Sequence, residues 1–275
     1  MDQYELAAPL YDGSADDLRI RDESQATPAR RWLALRNGVA AGAVMAGERP
    51  DDKLFLSFVG SDESTYGPLG MAAARAFSRP VRTTVDADAR GAITALRGAG
   101  FVTELTSERF RIRFDSALAG LRRAWVPNGY SVVTAEAVDI DRLFALDNTL
   151  RHDVPGTDGW HGDRAWFRGE LTEAPPLDPT AYLVGTHDAT DELVALVRIW
   201  RNPSGPRLGL IGVVAKHRST VIAAALLKQA LTAASSWGHD TFVTETSLTN
   251  RVIYPRLDRL GAESLGQSLQ MVHRT

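Results

Sequence analysis

An internal repeat constrains the fold of this chain more than any other feature of its sequence. Two segments, Val59–Thr65 and Val214–Thr220, share a valine, a four-residue interval and a Ser-Thr pair at an offset of 155 (214 minus 59). A second pair, Leu96–Phe101 and Leu257–Ala262, matches at an offset of 161 (261 minus 100). Self-similarity at a fixed spacing indicates that one structural unit is used twice. We therefore predict two copies of one fold.

The predicted secondary structure follows the same order in both halves. The pair Asn37-Gly38 separates two apolar runs and predicts a β-hairpin, because both residues tolerate the positive φ of a tight turn. The predicted strands are Trp32–Leu35, Val39–Met45, Leu54–Val59, Val81–Val85, Arg109–Phe114, Ala181–Gly185, Leu193–Trp200, Leu208–Val214 and Phe242–Thr246, and the predicted helices are Leu69–Phe77, Ala89–Gly98 and Ile140–Leu150. We predict an α/β (α+β) fold of two tandem domains, residues 1–120 and 121–275, joined by a linker near Ser116–Tyr130. Each domain is expected to be a mixed, mainly antiparallel sheet flanked by helices.

Composition excludes several classes of protein. The 275 residues contain 31 Lys and Arg against 34 Asp and Glu, and a net charge of -3 provides no general field for nucleic acid. The chain has no cysteine, which excludes disulfides, cysteine-based metal sites and a thiol nucleophile. No histidine pair has the spacing of a metal site. The first residues, MDQYELAAPLYDG, have neither the apolar core of a secretory signal nor a membrane anchor. We expect a cytoplasmic protein with no metal, nucleic-acid or membrane partner.

The segment Ile211–Ala225 is the strongest candidate for a binding site. A short β-type run passes through a turn containing Arg218 into an Ala- and Leu-rich helix. The first turn of a helix has unpaired N–H groups and a partial positive charge, so it binds anions. The candidate ligands of a pyrophosphate are the amides of Ser219, Thr220, Val221, Ile222 and Ala223, with Arg218 beside them. The alternative is an ordinary strand-to-helix connection with a solvated arginine.

The residues beyond this turn complete a wider pattern. Asn250 follows the next strand and opens a helical segment that ends at Gly261. Together these residues resemble the GNAT superfamily of Gcn5-related N-acetyltransferases. The family's turn reads Arg/Gln-x-x-Gly-x-Gly/Ala, and Arg218, Val221 and Ala223 lie at those positions. Val221 replaces a glycine here, in a helical conformation that is open to valine.

The resemblance implies acetyl-CoA as cosubstrate and direct acetyl transfer to a primary amine of a small molecule. Backbone N–H groups of Val213 and Val214 would polarise the thioester carbonyl, and Asn250 would lie near the cosubstrate. Tandem chains of this layout resemble aminoglycoside-type N-acetyltransferases of antibiotic resistance or tailoring. Alternatives are mycothiol-synthase-like acetylation of a cysteinyl sugar, or a decayed protein that only binds acyl-CoA or a small molecule. A monomer and a homodimer are both open.

Two residues are candidates for proton transfer. Leu257 occupies the place where many family members have a tyrosine that protonates the departing thiolate. Tyr254 lies one turn earlier on the same helix face and is the candidate acid, the alternative being an aromatic side chain packed on the core. Glu245 is the candidate base, because a carboxylate within an apolar strand is costly unless it is paired or functional. The alternative for Glu245 is a salt bridge at the sheet edge.

The acceptor site is predicted in the loop Arg151–His161, which is rich in turn-forming residues. It carries His152, Asp153 and Trp160 close together. In the GNAT layout this loop resembles the lip of the acceptor pocket. An aromatic wall with carboxylates suits a cationic amine, because Trp offers a face and Asp pairs with ammonium. The alternative is a surface loop with solvated polar groups.

The repeat also indicates which copy is active. At the offset of 155, Arg218 corresponds to Glu63 (218 minus 63). A carboxylate at the mouth of a phosphate-binding turn repels its ligand. We therefore predict that the first copy is structural or shapes the substrate, and that the second copy is catalytic.

Overall fold

The structure is a computed structural model that describes residues 18–22, 30–157, 159–172 and 177–274. The prediction that the first thirteen residues form neither a signal nor an anchor concerns a segment outside this description. Contacts divide the chain into two compact units. Unit 1 comprises Met1–Ser107 and Gly266–Thr275, and unit 2 comprises Glu108–Leu265.

The elements alternate in the manner of an α/β protein. The strands are β1 Leu18–Asp22, β2 Arg31–Arg36, β3 Val39–Glu48, β4 Leu54–Val59, β5 Val81–Asp86, β6 Val102–Arg113, β7 Tyr130–Thr134, β8 Leu177–His187, β9 Glu192–Asn202, β10 Gly205–Val213, β11 Thr241–Ser247 and β12 Glu263–His273. The helices are α1 Tyr66–Arg75, α2 Arg90–Gly98, α3 Phe114–Gly120, α4 Ile140–Arg151, α5 Arg164–Thr172, α6 Ile222–Ala234 and α7 Tyr254–Arg259.

Local patterns in the sequence predicted several of these elements closely. The β2–β3 hairpin turns at Asn37 and Gly38, whose φ angles of 50° and 80° are those of a type I′ turn. Strand β4 has the predicted bounds, and α4 begins at the predicted Ile140. Helix α3 lies in the segment predicted as a linker. Strands β1, β7 and β12 and helix α5 were not predicted.

Unit 1 is a sheet with the strand order β1-β2-β3-β4-β5-β12. Strands β4 and β5 run parallel, and the other neighbouring strands pair antiparallel. Helix α1 buries Leu69, Ala73 and Ala74, which share a core with Trp32 and Val44 of the sheet. Leu69 lies four residues before Ala73, and the buried Gly70 lies three and four residues before Ala73 and Ala74, so one face of the helix is apolar.

Unit 2 is a sheet with the strand order β6-β11-β10-β9-β8-β7. Its centre is β9, which is buried from Val194 to Trp200. Alternate β9 side chains join different cores, since Val197 packs in the core of α6 and Leu196 in the core of α4. Helices therefore cover both faces of this sheet, and the buried run of β9 is apolar except for Arg198, whose guanidinium lies 3.7 Å from the carboxylate of the buried Asp147.

The predicted duplication is confirmed by the element order. In each copy a strand leads through a short 3₁₀ turn into a helix, a strand, a second helix and a final long strand. The final strands β6 and β12 begin 161 residues apart (263 minus 102). Gly100 and Gly261 precede them with φ angles of 86° and 69°. Glycine adopts this left-handed conformation without the steric cost of a Cβ atom, which explains the matched pair.

The final strand of each copy is divided between the two units. Most of β12, the last strand of the second copy, belongs to unit 1, and residues 108–113 of β6, the last strand of the first copy, belong to unit 2. Strand β12 pairs antiparallel with β5, from Ser268 opposite Asp86 to His273 opposite Val81. The segment that begins at Gly266 thus lies in unit 1, and residues 108–120 lie in unit 2, whereas the sequence led us to expect one boundary at residue 120. Pairing between segments so far apart in the chain leaves no local sequence pattern.

Candidate functional site

A β-bulge shapes the central strand of unit 2. In the antiparallel register with β9, Leu208 faces Ile199 and Leu210 faces Arg198, so Gly209 is the extra residue. A Cβ atom on Gly209 would overlap the indole nitrogen of Trp200, so this position requires glycine. A bulge bends its strand, and beyond Gly209 strand β10 separates from β11, its neighbour on the other side.

A wedge opens between β10 and β11 beyond this bulge. The two parallel strands pair at Arg207 and Val243, and within the described residues their register contains no further pair. The hydroxyl of Thr244 reaches the carbonyl oxygen of Leu208 only at 3.5 Å. The carboxyl-terminal parts of the two strands therefore leave backbone groups facing an opening rather than each other.

The two predicted thioester-polarising amides point in opposite directions. The N–H of Val214 donates to the carbonyl oxygen of Val194 on β9 at 2.9 Å. Because N–H groups alternate along an antiparallel strand, the N–H of Val213 points away from β9 and into the wedge. The prediction is therefore corrected for Val214, whose N–H is already engaged, and Val213 is the available donor.

The helix after the turn begins three residues after Ser219, the first of the predicted phosphate ligands. Residues Ala215–His217 form a 3₁₀ turn, and α6 begins at Ile222 with Val221 as its N-cap. The N–H of Thr220 donates to the carbonyl oxygen of His217 at 3.1 Å, so this predicted phosphate ligand is engaged within the turn. The amides of Ile222 and Ala223, by contrast, lie in the first helical turn, where no intrahelical acceptor exists.

The start of α6 suits an anion. It has no acidic residue in its first turn and no side-chain hydrogen bond at its cap. Val221 has a φ of -91° and is 43% exposed, so a valine fits without strain. The side chain of Ser219 is exposed beside it. Arg218 is half exposed, and its Nε donates to the carbonyl oxygen of Val213 at 3.1 Å, which places the guanidinium between the wedge and the helix.

The corresponding turn in unit 1 is closed to an anion by its own carboxylates. Asp62, at the position of His217 (217 minus 62 is 155), accepts a hydrogen bond from the amide of Ser64 at 3.0 Å. A Cβ atom on Gly91, at the start of α2, would overlap the carboxylate of Glu63. Glu63 thus lies over a helix N-terminus, where a negative charge is favourable. This contrast supports the second copy as the binding copy.

The acceptor loop is arranged differently from the prediction. Trp160 is 4% exposed, and the guanidinium of Arg151 lies 4.3 Å above its ring. The predicted aromatic wall therefore holds a cation of the protein itself. His152 is exposed at the end of α4. Asp153 is half exposed, and its carboxylate pairs with Arg218, which belongs to the predicted phosphate site.

Tyr254 lies in a hydrogen-bonded cluster at the start of α7. Its hydroxyl donates to Glu108 at 2.9 Å, Ser264 donates to the same carboxylate at 2.5 Å, and its ring packs edge-on against Phe110 at 5.8 Å. Burial, with the hydrogen bond and charge of Glu108, raises the pKa of Tyr254 to about 12. Leu257 is buried in the core. The role of Tyr254 as an acid stays a prediction, and this geometry disfavours it, because a general acid works best with a pKa near the working pH.

The raised pKa of Tyr254 has a measurable effect on stability. Its folded-state pKa of about 12 exceeds the ordinary value of 10.0, so the folded state holds the proton more tightly. The contribution is complete below pH 10 and is lost as the pH rises towards 12. We expect denaturant unfolding to show that the free energy of unfolding falls more steeply over this window in the wild type than in Tyr254→Phe. Glu108→Gln should give an intermediate slope, and equal slopes in all three proteins would contradict the assignment.

Glu245 and Asn250 are the remaining predicted site residues, and they lie in β11 and in the turn that leads from β11 to α7, respectively. Glu245 is exposed, so it does not carry the burial cost that the sequence suggested. Alternation along β11 places it on the face opposite Phe242, which packs in the core of α6, and hence on the face of α4 and the acceptor loop. Its role as a base stays a prediction. The side-chain amide of Asn250 donates to the hydroxyl of Thr246 at 3.1 Å and thereby braces the turn before α7.

His217 is a residue whose position the sequence did not reveal. Its side chain is buried, and its Nδ1 lies 2.8 Å from the hydroxyl of Tyr130. The ring of His187 lies 5.2 Å away. His217 also accepts two hydrogen bonds at its carbonyl oxygen from Thr220, at 3.1 and 2.7 Å. It therefore fixes the turn that presents Arg218.

Comparison with known proteins places this geometry in a known fold. No protein family model matches the chain, and no curated protein matches it in sequence. A GCN5-related N-acetyltransferase from Sphaerobacter thermophilus is 16% identical with a TM-score of 0.66, over 89% of this chain and 80% of that one. A tandem GNAT protein from the clavulanic acid biosynthesis pathway is 15% identical with a TM-score of 0.66, over 90% and 82%. The fold is that of the GCN5-related N-acetyltransferases. A further member of this fold from Kribbella flavida is 14% identical with a TM-score of 0.57, over 85% and 86%.

The described part of the chain also bears on other kinds of site within this GNAT fold. None of its described groups of His, Asp and Glu side chains is arranged to hold a metal ion. Among the helices described, none combines the length and apolarity needed to cross a membrane. A cavity of about 430 Å³ in unit 1 is lined by Glu63, Ser64, Arg90, Gly91, Thr94 and Ala95. It lies at the first copy's turn, which carries its own carboxylates.

Proposed function

We propose that the chain is an acyl-CoA-dependent N-acyltransferase that transfers an acetyl group from acetyl-CoA to a primary amine of a small molecule. The observation that carries this proposal is the wedge between β10 and β11, with the N–H of Val213 pointing into it. Beside the wedge, Arg218 and the uncapped first turn of α6 form a site for a phosphate group. Acetyl-CoA carries a thioester and a pyrophosphate in one molecule. The wedge and the phosphate site are likewise adjacent, because Arg218 contacts the carbonyl oxygen of Val213.

The residues present fit this cosubstrate. Acetyl-CoA supplies an activated thioester carbonyl. The N–H of Val213 would donate to the carbonyl oxygen and stabilise the negative charge that develops on it as the amine attacks. Arg218 and the amides of Ile222 and Ala223 would hold the pyrophosphate. The chain has no cysteine to carry the acyl group, which supports direct attack by the amine nitrogen on the carbonyl carbon.

The proton balance of this reaction involves two sites. The ammonium group of the acceptor loses one proton before its nitrogen attacks, for which Glu245 is the proposed acceptor, since it is exposed on the face of the acceptor loop. The nitrogen loses a second proton to solvent once the carbon–nitrogen bond has formed. The bond between carbonyl carbon and sulfur breaks, and the thiolate takes a proton from solvent. The products are an N-acetyl amine and free CoA. Positioning of the two substrates would supply most of the acceleration.

The acceptor is proposed to be a cationic amine, and an aminoglycoside-type compound fits this description. Its support is the pair of exposed carboxylates, Asp153 on the acceptor loop and Glu245 on β11. A mycothiol-synthase-like reaction on a cysteinyl sugar would use the same amine chemistry. A protein that only binds acyl-CoA is the second candidate, favoured by the buried Leu257 and by the proton of Tyr254 held at Glu108.

Ligand binding and turnover separate these candidates. We expect acetyl-CoA at 100 times its dissociation constant to raise the free energy of unfolding by about 2.7 kcal/mol, which calorimetry will detect as a higher melting temperature. Release of free thiol should then follow when a panel of amines is added. The chain contributes no thiol of its own to this assay, because it lacks cysteine. Binding without thiol release would favour the binding protein, and absence of binding at millimolar acetyl-CoA would contradict both.

A further inference from the structure

Arg218 makes one contact with the backbone of β10 and another with the acceptor loop. Its Nε donates to the carbonyl oxygen of Val213 at 3.1 Å, and its Nη2 donates to the carboxylate of Asp153. Both partners of the ion pair are half exposed, at 50% and 51% of their side chains. Asp153 belongs to the acceptor loop, 65 residues earlier in the chain (218 minus 153). The pair therefore connects the proposed cosubstrate site to the proposed acceptor site within unit 2.

The backbone that carries Asp153 is firmly held. The N–H of Asp153 donates to the carbonyl oxygen of Leu150 at 3.2 Å, and the hydroxyl of Thr157 donates to the carbonyl oxygen of Arg151 at 2.6 Å. Arg151 is itself fixed by a hydrogen bond of 2.6 Å to the buried Asp147. The approach of Asp153 to Arg218 thus rests on an anchored turn, and separating the pair requires only side-chain rotation.

We propose that Asp153 is an internal competitor of the pyrophosphate for Arg218, so that binding of acyl-CoA releases this carboxylate for the ammonium group of the acceptor. The inference rests on the proposed function. The guanidinium offers the same donors to a carboxylate and to a phosphate, and the more highly charged phosphate is the stronger partner. Asp153 would then meet its cationic substrate only after the cosubstrate has bound. The coupling is reciprocal, as any such linkage must be.

Calorimetric titration with CoA alone tests the competition. Exposed ion pairs are weak, so we expect Asp153→Asn to tighten CoA binding by about twofold to fivefold. Glu48→Gln is the matched control, because Glu48 has the same exposure of 51%, pairs with Arg79 and lies in unit 1. It should leave the dissociation constant unchanged. Unchanged or weaker binding by Asp153→Asn would overturn the proposal.

A double-mutant cycle distinguishes competition from a general effect of removing negative charge. In an Arg218→Ala background Asp153 has lost the group for which it competes, and Asp153→Asn should then give no gain in CoA affinity. A similar gain in both backgrounds would show that Asp153 only repels the ligand at a distance, and would overturn the proposal.

Amide hydrogen exchange provides a readout that does not need CoA. We expect residues 152–157 to exchange faster in Arg218→Ala than in the wild type, because the loop loses its tie to the turn before α6. The Glu48→Gln control should leave this segment unchanged. If wild-type protein fails to bind CoA, the proposed function fails, while the exchange result still decides whether the ion pair holds the loop. Equal exchange in Arg218→Ala and wild type would overturn the pair itself.

Discussion

Arg218→Glu is expected to weaken acetyl-CoA binding by about 100-fold or more. The substitution removes charge-assisted hydrogen bonds to the pyrophosphate, each worth about 1.5–3 kcal/mol, and adds a repulsive charge. It also reproduces in the second copy the residue that the first copy carries as Glu63. Titration calorimetry with acetyl-CoA measures the change directly, and circular dichroism will show whether the fold is retained.

The first copy supplies the control for this substitution. Glu63→Ala should leave the affinity for acetyl-CoA unchanged, because the turn of unit 1 is closed by Asp62 as well as by Glu63. Equal losses of affinity in Arg218→Glu and Glu63→Ala would show that the assignment of binding to the second copy is wrong.

Val213→Pro is expected to lower kcat by about 100-fold to 1,000-fold, as removal of one oxyanion-hole donor does in other enzymes. Proline lacks the N–H that points into the wedge between β10 and β11. The ladder to β9 should survive, because the neighbouring N–H of Val214 makes that bond. The preceding Gly212 has no Cβ to clash with the proline ring. Thiol release with the best amine of the panel provides the measurement.

Two further variants separate a lost donor from a damaged strand. Val213→Ala keeps the N–H and should retain kcat within a few-fold. Val214→Pro removes the bond to Val194 and should lower the melting temperature as well as activity. If Val213→Ala loses as much kcat as Val213→Pro, the side chain matters and the donor role is refuted.

The sequence was most informative where a structural preference is local. The Asn37-Gly38 turn and the bounds of β4 follow from the residues themselves, and the repeat correctly indicated two copies. The long strand β12 was missed, because its first six residues, Glu263–Ser268, are mostly polar or glycine, and its place in the sheet is set by pairing with β5. Helix α3 was hidden by its place in a segment that reads as a linker. Contacts between distant segments decided these elements.

The candidate site shows the same division. The residue types at the turn before α6 indicated an anion site, and the first copy's Glu63 indicated which turn to choose. The sequence could not show that Val214 donates to β9, that Arg151 covers Trp160, or that Asp153 reaches Arg218. Each of these is a partnership between side chains or strands that only the folded chain brings together. The Gly209 bulge was equally invisible without the register of β9.

The exchange of final strands has a consequence for the order in which the protein can be assembled. Strand β5 receives its partner β12 only when about 180 further residues have left the ribosome (268 minus 86 is 182). Until then the edge of the nascent sheet in unit 1 offers unpaired backbone groups to any passing strand. The first half of the chain therefore cannot complete its folding during its own synthesis, and must wait for the translation of the second.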